Sequence, residues 1–145
     1  MLPNEANDKR SAERFPPLTI SVTDHRQLEA IALKSLLGDP RNAGALLNEV
    51  DRADVVDDDI VGKDVVGIGD LVGYRDDATG ERYLARLVDR ADNVAQEDTL
   101  SVLSSLGAAL IGLRVGQSIL WSDRLGSERL YTVLSVNQSD ARTLP

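Results

Sequence analysis

The sequence predicts an α+β protein in which a short N-terminal antiparallel helical hairpin precedes an antiparallel sheet wrapped around a short helix. Three observations predict this class. Apolar residues recur with a helical period between Asp24 and Val56, and from Val65 onward the period changes to two, as strands require. The third observation is the stretch Leu100–Ile119, where a segment of small and aliphatic residues lies between two strand-like segments. Because a short helix that is apolar on nearly every face must be buried, the sheet is expected to fold around it.

The two helices of the hairpin are predicted on either side of a turn at Gly38–Arg41. Asp24 followed by Gln27 forms a capping box that starts the first helix. Asn42 is the expected cap of the second helix, whose apolar residues have the i, i+3, i+4, i+7 spacing: Ala43, Leu46, Leu47, Val50 and Ala53. Such a pair buries too little surface to be stable alone. It is therefore expected to pack against the rest of the protein or against a partner.

About five strands are predicted after the hairpin, at Asp70–Tyr74, Glu81–Val88, Leu100–Val102, Gln117–Trp121 and Arg129–Val136. The buried helix is predicted over Ser105–Ile111. Ser104 and Ser105 are both candidates for its N-cap, because a serine hydroxyl can accept from the free N–H groups of a helix start. Gly112 follows where a left-handed residue ends a helix.

Composition excludes several classes of function. The net charge is −8, and no part of the chain is net basic, so direct nucleic-acid binding is not expected. The absence of cysteine excludes disulfides, thiolate metal sites and a cysteine nucleophile. No apolar run reaches transmembrane length, and the first residues do not form a signal peptide, so a cytoplasmic protein without membrane contact is expected. We further expect a disordered tail at 1–17, the hairpin at 18–60, the C-terminal domain at 61–137 and a flexible tail at 138–145.

No enzyme chemistry is predicted, and neither a cofactor nor a metal is expected. His25 is the only histidine, which leaves no obvious pair of nucleophile and base. The run Asp57–Asp59 suits a calcium loop, but Val61 occupies a ligand position and no glutamate closes the loop, so the run is interpreted as a solvated linker. Trp121 is interpreted as core or strand-edge packing, with the floor of a pocket as the alternative.

Four segments carry a resemblance to a known family: LSVLSSLGAALIGLRVGQSI at 100–119, LNEVDRA at 47–53, Asp64–Val66 and RLYTVLSV at 129–136. Together they resemble the GreA/GreB transcription elongation factors, and within that family the Rnk branch, named for regulators of nucleoside diphosphate kinase. The resemblance extends from Pro17 to Val136.

This resemblance implies an FKBP-like sheet and a monomer that docks on bacterial RNA polymerase near the secondary channel. It implies that Ser104, Ser105 and Leu106 contact the polymerase, although Gre factors usually have proline where this chain has Ser105. Capping by the two serines is the alternative interpretation. Gre factors stimulate transcript cleavage through two acids at the tip of a longer hairpin, whereas this tip carries only Asp39, with Arg41 beside it. A competitor of Gre factors that does not stimulate cleavage is therefore expected. The alternatives are an FKBP-like peptidyl-prolyl isomerase and an adaptor for another partner.

Overall fold

The computed structural model of the chain describes residues 16–89, 98–122 and 125–137. Its N-terminal part contains strand β1 (Thr19–Ser21), helix α1 (Val22–Ser35), helix α2 (Pro40–Arg52) and strand β2 (Asp54–Val56). The remaining elements are β3 (Leu71–Asp76), β4 (Arg82–Val88), β5 (Thr99–Ser101), α3 (Ser105–Leu110), β6 (Ser118–Ser122) and β7 (Glu128–Val136). The predicted tails, apart from residues 16 and 17, lie outside the described residues, as does most of the connection between β4 and β5.

Both helices of the hairpin form, but the predicted caps are wrong. Helix α1 is capped by the Ser21 hydroxyl, which accepts from the Asp24 backbone N–H at 3.1 Å. The Asp24 carboxylate instead accepts from the backbone N–H of Ile68 at 3.1 Å. Helix α2 is capped by Asp39 rather than by Asn42, whose backbone N–H and side-chain amide both donate to the Asp39 carboxylate. The first prediction failed because the Asp24 carboxylate binds the backbone of a loop distant in sequence. The second failed because Pro40 suits the first helical position, which makes the preceding residue, Asp39, the cap.

The hairpin packs on the rest of the protein. Its buried residues are Leu28, Ala32, Ala43, Leu46 and Val50. Most of them belong to one hydrophobic cluster that also contains Val72 of β3, Leu110 of α3 and Val133 of β7. Helix α2 lies directly against α3. The inward stripe of the hairpin is therefore covered within the chain, as expected for a pair that is too small to be stable alone.

A second set of contacts fixes the N-terminal segment to both parts of the fold. Strands β1 and β2 pair in parallel, and the sequence did not predict this pairing. The backbone carbonyls of Pro16 and Pro17, residues assigned to the tail, accept from the side chains of Arg52 at 2.6 Å and Gln117 at 3.2 Å. The backbone N–H of Thr19 donates to the carbonyl of Gly112 at 3.1 Å. The segment before α1 thus connects α2, the end of α3 and β6.

The main sheet has the strand order β5-β4-β3-β7-β6. The pairs β3–β4, β3–β7 and β6–β7 are antiparallel, as predicted. The pair β4–β5 is parallel, which corrects the expectation of a fully antiparallel sheet. β5 is only three residues long, and it leads directly into the turn before α3. A parallel edge strand is what delivers the chain to the start of that helix.

Helix α3 is buried as predicted, with Leu110 fully inaccessible and Ala108 3% exposed. Ile111 ends the helix, and Gly112 follows with a φ of +78°, the left-handed conformation that glycine adopts without a Cβ penalty. Gly107 allows an unusually close approach, because a Cβ there would lie 1.9 Å from the carbonyl oxygen of Ser101. The absence of a side chain at Gly107 therefore lets α3 lie tightly against the end of β5.

Candidate docking site

The start of α3 is organised by Ser104. Its hydroxyl accepts from the backbone N–H of Gly107 at 3.0 Å and donates to the carbonyl of Ser101 at 2.6 Å. These two hydrogen bonds confirm Ser104 as the N-cap and connect the helix start to the end of β5. Ser105 is the first helical residue and is exposed, whereas Leu106 is half-buried and packs on the core. Of the three predicted contact residues, Ser105 is thus the most exposed to solvent.

The tip of the hairpin contains one engaged and one free charge. The Asp39 carboxylate accepts from the backbone N–H of Asn42 at 3.4 Å and from its side-chain amide at 3.0 Å. Arg41 is exposed, and none of the described residues accepts a hydrogen bond from its guanidinium. The cap stabilises α2 and holds Asp39 in place. The tip therefore presents a cation toward solvent, while its only acid is used locally.

The tip and the start of α3, predicted as separate sites, both line one cavity of about 990 Å³, here called the tip cleft. Its lining comprises Asp39, Arg41 and Asn42 from the tip, Ser104 and Ser105 from the start of α3, Trp121 and Ser122 from β6, and Leu125. Leu125 is 92% exposed. No local pattern in the sequence predicted this juxtaposition, because it arises from the packing of α2 against α3.

Trp121 is the lining residue whose role was left open by the sequence. Its ring makes an edge contact with Tyr131, with the ring centroids 5.8 Å apart. The indole Nε1 atom is buried, and no described group accepts its hydrogen. An unsatisfied buried donor costs about 1–3 kcal/mol. Trp121 thus packs against the core and also lines the tip cleft.

An aromatic row crosses the inner face of the sheet and ends at Trp121. Tyr83 stacks on Tyr74 with centroids 5.2 Å apart, and Tyr74 meets Tyr131 edge-on at 5.8 Å. Tyr74 and Tyr131 are buried, and burial raises the pKa of Tyr74 to about 12. These four residues are all the aromatic residues in the described part of the chain. The rings pack on one another from the exposed Tyr83 to Trp121, which lines the tip cleft.

An ion pair fixes the β7 end of this row. Arg129, which lies opposite Trp121 in the strand register, donates to the fully buried carboxylate of Asp76 at 2.6 Å. Burial alone would raise the pKa of Asp76, but the hydrogen bonds from Arg129 and from the backbone N–H of Ala78 lower the pKa below its ordinary value. The charged pair positions the strand that backs Trp121.

A second cavity of about 620 Å³ lies between β1, the start of α1 and the loop before β3. It brings together the carboxylates of Asp24, Asp64 and Asp70. Burial is the main reason that the pKa of Asp24 is raised, and the nearby charges of Asp70 and Asp58 raise it further. Across residues 16–89, 98–122 and 125–137, no group of three or more acidic or histidine side chains is arranged to hold a metal ion. No helix in the same ranges is long and apolar enough to cross a membrane.

The fold and the cleft together define a class of protein in which a helical hairpin is fixed to a curled, mainly antiparallel sheet with a short buried helix. Two family models match consecutive parts of this chain. The model described as "Transcription elongation factor, GreA/GreB, C-term" matches residues 61–138, and the model described as "Rnk N-terminus" matches residues 16–56. The chain therefore belongs to the GreA/GreB family, with an N-terminal segment of the Rnk type. This confirms the resemblance found in the sequence, and it identifies the chain as a transcription-related regulator.

Individual relatives agree with this assignment. The chain is 38% identical over 108 residues to the "Regulator of nucleoside diphosphate kinase" of Escherichia coli strain K12, a match that covers 71% of this chain and 77% of the relative. The protein of the same name from Shigella flexneri matches equally well. Among solved structures, the GreA/GreB elongation factor from Nitrosomonas europaea aligns with a TM-score of 0.65 and 29% identity, over 84% of this chain and 98% of that chain. The names of these relatives describe a regulator and a transcription elongation factor.

Proposed function

We propose that this protein docks on bacterial RNA polymerase near the secondary channel, occupies that position without stimulating transcript cleavage, and so competes with Gre factors. Members of the GreA/GreB family bind RNA polymerase, which supports a partner of this kind. The single observation that carries the proposal is the start of α3. Ser105 is exposed on a helix start that Ser104 and Gly107 hold rigidly, within the region matched by the GreA/GreB model. A rigid, exposed loop needs little ordering to bind a partner, so less affinity is lost on docking.

The hairpin supports the absence of cleavage stimulation. Hard cations such as Mg²⁺ need several oxygen ligands, of which protein carboxylates supply one or two. The only acid at the tip, Asp39, accepts two hydrogen bonds from Asn42, and Arg41 beside it repels a cation. Helix α1 contains 14 residues, which corresponds to a length of about 20 Å. Moreover, the tip lines the same cavity as the start of α3.

The experiment that tests docking compares two variants of the α3 start with a matched control. Ser105→Glu adds a charge to the exposed docking position, and Leu106→Arg changes the neighbouring half-buried one. Val115→Glu adds the same charge at another exposed position, which lines the second cavity and not the tip cleft. Affinity for purified core polymerase is measured after thermal melting confirms that each variant is folded. We expect the first two variants to bind more weakly and Val115→Glu to bind like the parent. Equal affinity for all four proteins would show that the docking surface lies elsewhere.

Peptidyl-prolyl isomerase activity is the second candidate, and the aromatic row is the observation that favours it. Four aromatic side chains lie together on one face of a sheet that we propose to be FKBP-like. Against this candidate, Tyr74 and Tyr131 are only 7% and 8% exposed, so the two central rings of the row offer little surface to a proline ring. A proline-isomerisation assay on a short peptide decides the matter, since catalysis above the uncatalysed rate would favour the isomerase.

The remaining features of the proposal follow from the same partner. We propose that the hairpin at 18–60 is a short coiled coil, that 61–137 is the FKBP-like domain, and that the protein acts as a monomer in the cytoplasm. No direct contact with nucleic acid is proposed, because the net charge of −8 opposes phosphate binding. An adaptor for a partner other than polymerase would be identified by the failure of the parent protein to bind the core enzyme.

A further inference from the structure

We infer that the hairpin tip is part of the docking surface and that Arg41 in the tip cleft binds an acidic side chain of the polymerase. This inference rests on the proposed function, since it names the chemistry of the contact made beside Ser105. The tip is thereby assigned a role in holding the partner from outside, instead of a role inside the channel.

The hairpin tip and the start of α3 form one continuous surface. Arg41 and Ser105 come from different parts of the chain, but both line the tip cleft. The packing of α2 against α3 fixes the two walls relative to each other, and the buried residues Ala43 and Leu110 keep each helix anchored in the core. A partner surface that covers Ser105 therefore covers part of the tip as well.

The second argument is the chemistry of the lining. Asp39 is the only acid among the described residues that line the cleft, and its carboxylate is already engaged by Asn42. The Arg41 guanidinium has no acceptor among the described residues, and the buried indole N–H of Trp121 has none either. Two donors of the cleft, the Arg41 guanidinium and the Trp121 indole N–H, thus have no acceptor among the described residues. A carboxylate is the side-chain group that satisfies an arginine with two parallel hydrogen bonds.

The third argument concerns the overall charge. A protein with a net charge of −8 is repelled at long range by an acidic partner surface unless a local cation faces that surface. Arg41 supplies such a cation within reach of the predicted contact. An exposed charge at the edge of an interface acts mainly on the rate of association and on partner choice. The contact is therefore expected to be sensitive to salt.

The test uses the full-length protein and purified core polymerase. The dissociation constants of the parent, Arg41→Glu and Arg41→Ala are measured at low and high salt. Arg82→Glu is the matched control, because Arg82 is exposed on β4, does not line the tip cleft and makes no ion pair among the described residues. We expect Arg41→Glu to weaken binding about tenfold at low salt and Arg82→Glu to leave it unchanged. We also expect the affinity of Arg41→Ala to depend less steeply on salt than that of the parent.

The outcomes separate this inference from the proposed function. If Ser105→Glu weakens binding while Arg41→Glu does not, the docking site stands and the role of Arg41 is refuted. If the parent fails to bind core polymerase, the proposed function is refuted and the inference falls with it. Sedimentation of the free proteins tests a second copy of the chain as the occupant. A parent dimer that Arg41→Glu dissociates would assign the cleft to self-association and overturn the inference.

Discussion

Two glycine-to-alanine substitutions in helices are expected to change stability in opposite directions. Gly107 lies in α3, where an added Cβ would be 1.9 Å from the carbonyl oxygen of Ser101. Gly44 lies in α2, where an added Cβ would meet nothing within 4 Å. The same chemical change is thus made in a tight contact and in open space. Because the effect of alanine on helix propensity is shared, the difference between the variants reports the packing of α3 against β5.

The magnitudes follow from these distances. Non-bonded atoms are comfortable at about 3.5 Å, so Gly107→Ala must separate α3 from the end of β5 by well over 1 Å. Overpacking of this kind costs about 1–3 kcal/mol, occasionally more, against a propensity gain of about 0.5–1 kcal/mol. In a protein of this size, 1 kcal/mol changes Tm by about 2–4 °C. We expect Gly107→Ala to lower Tm by several degrees and Gly44→Ala to raise it by about 1–4 °C.

Thermal and urea unfolding are followed by far-UV circular dichroism and by the fluorescence of Trp121, the only tryptophan in the chain. Coincident transitions by the two probes show that the hairpin and the sheet unfold together. A melting temperature of Gly107→Ala at or above that of the parent would refute the close approach of α3 to β5. A lower melting temperature of Gly44→Ala would show that its side of α2 is not open.

Two further predictions concern the core and the loop before β3. Leu110→Asp is expected to unfold the protein, because an unpaired charge at a fully buried position costs several kcal/mol out of a total stability of about 5–15 kcal/mol; an unchanged Tm would show that α3 is not core. Asp24→Ala should lose about 1 kcal/mol in urea unfolding because Ile68 loses its acceptor, whereas Asp24→Asn keeps an acceptor and should match or exceed the parent at pH 7. Since the pKa of Asp24 is raised above its ordinary value, ionisation of Asp24 costs stability as the pH rises through that raised pKa; a parent and an Asp24→Asn variant with identical pH profiles in acid would contradict this.

Local patterns predicted the elements themselves. Helix α3 was predicted to within one residue. Ser104 caps its start and Gly112 allows the left-handed turn after its end, and neither role needs a residue distant in sequence. The strands of the main sheet were predicted to within about two residues, since the alternation of apolar side chains reflects a sheet with one covered face. The spacing of apolar residues and the capping residues of a segment therefore determine its secondary structure when no contact with a distant segment engages the same side chains.

Long-range contacts account for what the sequence did not predict. Asp24 was expected to cap α1, but its carboxylate binds the Ile68 backbone, and Ser21 takes its place. The parallel pairing of β4 with β5 and the placement of the tip beside Ser105 depend on how separate segments pack. Trp121 was correctly assigned to packing, yet its place in the wall of the tip cleft follows only from the tertiary structure. Nothing in the local sequence encodes these juxtapositions.

Transcript cleavage in backtracked elongation complexes is the most direct test of whether this protein docks on polymerase and competes with Gre factors without stimulating cleavage. The complexes are incubated with this protein alone, then with a Gre factor, and finally with the Gre factor and an excess of this protein. We expect no transcript shortening with the protein alone. We expect suppression of Gre-stimulated cleavage as the protein approaches saturation. Shortening by the protein alone, or full Gre activity at saturation, would contradict these expectations.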